Sequence, residues 1–209
     1  MAIDDLLDEH EQSERVLQWL RNNGVGLIGG IALGFAAIGG WKWWGHDQQS
    51  KKLAEADRYS AAVEAIESDD PKAAELTADL QPGMLSALAA LELARSQVAA
   101  GKTEEAIATL KGIASDDPAL TDVVNQRLAR LQIEAGQADA ALALLAQAES
   151  AIALEIRGDA EFALGKHDAA RASYEQALAK MDVGSPMRRM LELKLTEVGG
   201  KPAEAEAKS

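Results

Sequence analysis

The 209-residue chain contains no cysteine, two tyrosines, two phenylalanines and five prolines. Without cysteine it has no disulfide framework, no thiolate metal site and no thiol nucleophile. That absence suits a periplasmic domain that avoids stray oxidation, and it suits a cytosolic protein equally well. The three histidines, His10, His46 and His167, stand far apart in sequence. No His-Glu-x-x-His spacing and no Gly-x-Ser-x-Gly elbow accompanies them. Gly101-Lys102 and Gly165-Lys166 lack the strand, the upstream glycine and the Ser/Thr that a phosphate loop requires. Catalysis, a bound cofactor, a metal site and a small-molecule substrate are therefore not expected. A basic stripe is also missing: 34 acidic residues against 21 Lys and Arg leave a formal charge of −13. This balance excludes nucleic acid as a partner and disfavours adhesion to anionic lipid.

Charge itself disappears over residues 22–41, in a chain that is otherwise a quarter charged. About 20 uncharged residues suffice for a helix to cross a bilayer with every backbone polar group paired internally. Trp41, Trp43 and Trp44 follow with Lys42 among them, an interfacial aromatic belt with a snorkelling cation, and the span is expected to end there. The acidic segment ahead of the run and the bulky residues after it do not fit a cleavable signal peptide. Ile3, Leu6, Leu7, His10, Leu17 and Leu20 recur at helical spacing, which predicts an amphipathic helix at the membrane surface. Gly26, Gly30 and Gly34 form two overlapping GxxxG steps and are the candidate face for packing against another membrane helix. Arg15 and Arg21 precede the span, while Lys42, Lys51, Lys52 and Arg58 follow it. That count slightly favours a cytoplasmic C-terminal domain.

Beyond residue 45 the chain is rich in Ala, Leu, Glu and Asp and repeats itself. Leu93-Ala94, Gly101-Lys102, Glu105-Ala106 and Leu110 are echoed by Leu128-Ala129, Gly136-Gln137, Ala140-Ala141 and Leu145. A third unit runs through Arg157-Gly158, Gly165-Lys166, Ala169-Ala170 and Tyr174. Each unit reads as helix, glycine turn, helix. Glycine caps the first helix in a left-handed conformation, and the small residues let the two helices approach. Pro118 is expected to stop the second helix of its unit. The spacing matches tetratricopeptide repeats. The second unit departs from the consensus: it lacks the closing Pro, and the step from Gly136 to Gly165 is 29 residues against 35 from Gly101 to Gly136. The fold class is thus all-α: one N-terminal transmembrane helix followed by a tetratricopeptide-like solenoid. The segments expected are a tail over 1–21, the span over 22–44, and a linker helix with an atypical first hairpin over 45–83. Three repeats over 84–182, a capping helix over 183–199 and a disordered tail over 200–209 complete the chain.

Solenoids of this kind bind protein segments on the concave face lined by the first helix of each hairpin. The register places Leu88, Leu91, Arg95 and Val98 there from the first repeat. Gln126, Arg130 and Ile133 come from the second, and Glu155, Asp159 and Phe162 from the third. This surface mixes apolar spots, two arginines and two acids.

The acidic head, the span closed by Gly-Trp-Lys-Trp-Trp and the segment Ser-Ala-Leu-Ala-Ala-Leu-Glu-Leu-Ala-Arg resemble the YfgM family. So do Asn-Gln-Arg-Leu-Ala-Arg-Leu-Gln and Gly-Lys-His-Asp-Ala-Ala-Arg-Ala-Ser-Tyr-Glu-Gln-Ala-Leu. The resemblance covers almost the whole chain. It implies an ancillary, non-enzymatic subunit of the bacterial SecYEG translocon, single-pass in the inner membrane, with its N-terminus cytoplasmic and its repeats periplasmic. It also implies contact with the membrane-anchored periplasmic chaperone PpiD and with emerging secretory chains handed on to such chaperones. On topology the resemblance and the charge count disagree, and the resemblance is the more specific of the two. Two other functions fit the same fold: a cytoplasm-facing scaffold or stress-response regulator, and a periplasmic assembly factor for another envelope complex.

Overall fold

In a computed structural model of the protein, the described residues are 2–147 and 149–201, with side chains described from Ser13. Two units make up the chain, Met1–Ala54 and Glu55–Ser209. Every regular element among the described residues is helical. The elements are α1 (Ala2–Glu67), α2 (Ala73–Ala78), α3 (Met84–Ala99), α4 (Thr103–Lys111), α5 (Pro118–Glu134), α6 (Ala138–Leu144), α7 (Ala151–Ala163), α8 (His167–Lys180) and α9 (Arg188–Glu197).

Helix α1 is continuous through the uncharged run and past the tryptophans, and does not stop at residue 44. No proline interrupts it, and the glycines of a membrane span are tolerated inside a helix. Its segment from Ser13 onward contains a stretch long and apolar enough to cross a membrane. The amphipathic residues Ile3, Leu6, Leu7 and His10 lie outside the described side chains, and the expected disordered tail lies outside the described residues from 202 onward.

From Glu55 the chain forms a right-through succession of hairpins. Tyr59, Ala62, Ala65 and Ile66 of α1 pack with α2 and α3. Then α3 pairs with α4, α5 with α6, and α7 with α8, and α9 packs on α8. Three further apolar clusters follow in chain order, and each is shared by three consecutive helices: α3–α5, α5–α7 and α7–α9. The core is therefore a row of linked clusters, each completed by the next unit, as expected of a solenoid. Ala106, Ala141 and Ala170 are fully buried where second helices meet their neighbours.

Glycine supplies the turn between the helices of each pair. Gly101, Gly136 and Gly165 have φ of 74°, 76° and 71°. In each case the next amide donates to the carbonyl five residues back: Lys102 to Gln97 at 2.8 Å, Gln137 to Gln132 at 2.7 Å and Lys166 to Glu161 at 2.9 Å. These are Schellman caps, in which the left-handed residue satisfies two otherwise unpaired carbonyls. Successive turns also touch: the Gln137 amide donates to Glu104 at 3.1 Å, and Lys166 lies 3.9 Å from Asp139.

Pro118 does not stop α4, which ends seven residues earlier at Lys111. It opens α5 instead. The first helical position needs no amide hydrogen, and Asp117 caps the helix by accepting from the Ala119 and Leu120 amides at 2.9 and 3.4 Å. The short step from Gly136 to Gly165 comes from shorter helices and not from a shorter loop. Helix α6 has seven residues against nine in α4, and α7 has thirteen against seventeen in α5.

Candidate interaction surfaces

The two units offer different surfaces, each built by its own elements. In α1 the glycine face is open. A Cβ placed on Gly26, Gly30 or Gly34 would meet nothing within 4 Å. The large residues around this face, among them Leu27, Ile31 and Phe35, are exposed too. Trp41 and Trp44 stack edge to face with ring centres 5.9 Å apart. An apolar helix in this state needs either lipid or another helix around it.

In the repeats, the sequence-derived candidates divide into three groups. Leu91, Arg95, Val98 and Arg130 gather around one cavity of about 310 Å³. Leu91, Ala94 and Leu110 are buried along it. Arg127 and Leu131 of α5 complete the wall, so three guanidinium groups surround an apolar floor with no carboxylate in the lining. Arg95 already donates to Glu92 on its own helix. Arg127 and Arg130 are exposed and have no ion pair or hydrogen bond among the described residues.

The second group is engaged elsewhere. Glu155 is 3% exposed and accepts from the Lys194 ammonium at 2.7 Å. Asp159 accepts from the same ammonium at 2.9 and 2.8 Å and from the Tyr174 hydroxyl at 2.9 Å. One cation from α9 thus pairs with both Glu155 and Asp159 of α7. Burial pulls the Lys194 pKa down, but the hydrogen bonds to Asp159 and Glu155 outweigh it and hold the proton more firmly than on an ordinary lysine. The phenol of Tyr174 is pushed well up, by burial first and then by the Asp159 charge. These acids seat the last helix and have little left for a partner. Arg188 assists by donating to the Leu178 and Met181 carbonyls at 3.1 and 3.3 Å.

The remaining candidates are scattered. Leu88 is exposed and does not line the cavity. Gln126 is half-buried and donates to Asp122 at 2.7 Å. Ile133 and Phe162 are half-buried against core clusters, with Phe162 edge-on to His167 at 5.4 Å.

Sequence reasoning missed Arg127 and Lys194. The helical step from Arg127 to Arg130 and Leu131 places these three on one face and was available as a signal. Lys194 lies 35 residues or more from its partners and carried none.

A family profile described as a tetratricopeptide repeat-like domain matches residues 17–200. Similar proteins include the "Ancillary SecYEG translocon subunit" of Escherichia coli strain K12, 34% identical over 91% of this chain and 97% of the relative. The protein of that name from Haemophilus influenzae is 27% identical over 82% of this chain and 89% of its own length. The one from Aggregatibacter actinomycetemcomitans is 25% identical over 92% and 98%. No solved structure matches the chain.

Proposed function

The chain belongs to the YfgM family of ancillary SecYEG translocon subunits, and from that premise we propose that it is a non-enzymatic inner-membrane subunit working beside that translocon. The span holds it in the membrane next to the channel. The repeats, on the periplasmic side, meet the membrane-anchored chaperone PpiD and emerging secretory chains, and help pass those chains to periplasmic chaperones. The observation that carries this reading is the open glycine face of α1, where three positions without Cβ leave room for a second helix to approach closely. A leucine at Gly30 fills that room.

The two contacts are separable because they lie in different units of the chain. In membranes solubilised with a mild detergent, Gly30→Leu is expected to lower copurification of SecYEG while the repeats keep their soluble partners. Arg95→Glu with Arg130→Glu is expected to do the reverse, since charge reversal repels an acidic partner without touching the span. Equal loss of the same partners in both variants would favour one composite interface.

Topology has its own test, a C-terminal alkaline phosphatase fusion, active only outside the cytoplasm. Activity is the expected result. An inactive fusion, with a cytoplasmic reporter active at the same position, would establish the cytoplasm-facing scaffold toward which the positive charges after the span lean.

A further inference from the structure

We infer that the cavity between α3 and α5 is a docking groove for an acidic peptide segment that carries one or two bulky aliphatic or aromatic side chains. This deepens the proposed function, because it names the class of partner segment the repeats take. Its chemistry rests on the groove alone.

The first argument is charge placed against the trend of the whole chain. Acidic residues outnumber Lys and Arg by 34 to 21, yet Arg95, Arg127 and Arg130 line this groove with no carboxylate among its lining residues, and only Arg95 has an acidic partner, Glu92. Among the described residues, Arg127 and Arg130 have no partner. Elsewhere in the repeats, Arg157 donates to Ser173 and Gln176, Arg171 to Asp168, and Arg188 to Glu192. Arg189 on α9 also has no partner among the described residues, but it does not line this groove. Two unpaired guanidinium groups one helical turn apart form a row of planar forks, which match carboxylates better than they match water or neutral groups.

The second argument is the floor. Leu91, Ala94 and Leu110 are buried beneath the arginines, with Val98 and Leu131 at the rim. An apolar floor favours a ligand with a bulky apolar side chain, and about 310 Å³ accommodates only one or two of them. A purely acidic segment leaves the floor wet, and a purely apolar one leaves the arginines unused. Both features are met by Leu, Ile or Phe flanked by Asp or Glu.

Other occupants fit less well. Nucleic acid carries phosphates but meets a chain whose whole net charge is −13. The chain's own C-terminal segment, 202–209, has Glu204 and Glu206 but only alanines between and beside them. It offers the carboxylates without the side chain the floor requires.

The test uses the full-length protein in detergent micelles and two fluorescein-labelled synthetic peptides. One has the sequence Ala-Glu-Glu-Leu-Asp-Leu-Glu-Glu-Ala, and the other has lysine at every acidic position. Fluorescence anisotropy is expected to show the acidic peptide binding at least tenfold more tightly. Arg127→Gln with Arg130→Gln, which keeps much of the aliphatic stem, is expected to weaken it at least tenfold without changing the melting temperature. Arg95→Gln should weaken it less, because Arg95 is already engaged by Glu92. Arg171→Gln, on α8 and paired with Asp168, should leave binding unchanged. Equal affinity for both peptides, no binding of either, or an unaffected double variant would overturn the groove. Copurification with SecYEG keeps this result apart from the larger reading. If the wild-type chain copurifies but binds no peptide, only the groove falls. If it binds the acidic peptide but never copurifies, the translocon reading falls and the groove stands.

Discussion

The unit up to Ala54 and the unit from Glu55 spend the same residue types on opposite tasks. Ile31, Leu33 and Phe35 of α1 are more than half exposed, while Ile156 and Leu191 in the repeats are completely buried. Glycine shows the contrast most sharply. At Gly26, Gly30 and Gly34 the missing Cβ leaves empty space, whereas at Gly158 a Cβ would lie 2.4 Å from the Tyr174 ring. In α1 small residues keep a surface open for something from outside the chain. In the repeats they have been used up by a neighbour in the same chain. Apolarity by itself marks neither a core nor a span. What distinguishes them is whether the chain supplies its own cover or relies on lipid and other helices to supply it.

Making the same substitution in both units tests that contrast directly. Ile156→Ala removes a fully buried side chain and is expected to cost about 2–5 kcal/mol. In a domain of this size that lowers the melting temperature by about 2–4 °C per kcal/mol. Thermal melts of the detergent-solubilised chain followed by circular dichroism read it out. If Ile156→Ala melts like the wild type, Ile156 is not part of the core shared by α5, α6 and α7.

Next in size is Lys194→Met, which leaves Glu155 and Asp159 without their cation. Removing one member of a buried charge cluster costs about 3–5 kcal/mol, and the Lys194 side chain, a quarter exposed, places this case at the lower end. The pH dependence has a definite sign. Because folding raises the lysine pKa, its contribution is complete below the ordinary lysine value of about 10.4 and fades as pH climbs above it. The gap in melting temperature between wild type and Lys194→Met should therefore be constant near neutrality and narrow in alkali. A gap that widens above that range would contradict the assigned pairing.

Overpacking comes third. Ala141→Leu and Gly158→Ala each add atoms where none fit, at about 1–3 kcal/mol. Ala141→Leu disturbs the cluster shared by α5, α6 and α7. Gly158→Ala forces the buried Tyr174 ring to move. Unchanged melting in Ala141→Leu would mean that the repeat register is misplaced.

The smallest effect belongs to α1. Ile31→Ala removes the same atoms as Ile156→Ala from a residue 52% exposed, and should alter melting of the repeats by no more than about 0.5 kcal/mol. A loss comparable to that of Ile156→Ala would erase the distinction between the two units.

How legible each feature was in the sequence depends on how local its cause is. The span announced itself through twenty consecutive uncharged residues. The hairpins were visible because a Schellman cap needs a single glycine and its hydrogen bonds stay within six residues. Pro118 was misread because its restriction fits two roles, stopping one helix or opening the next. The deciding residue is Asp117 beside it, whose carboxylate caps α5. The candidate surface was legible only in part. Arg95 and Arg130 stand where helical register puts them, but Glu155 and Asp159 face Lys194, a partner that arrives only after the chain has folded back through α8 and α9. Local pattern gives the face of a helix, and tertiary contacts decide whether that face stays free.

The contact between Gly158 and Tyr174 also bears on how this sequence is free to change. While position 174 holds a ring, a side chain at position 158 has room only if the ring is displaced. Once the ring shrinks, alanine at 158 stops being an injury and begins to fill the gap. Each change alone is a step downhill in stability, and the second partly undoes the harm of the first, so the pair is epistatic. The effect of a substitution at either position therefore depends on which residue occupies the other.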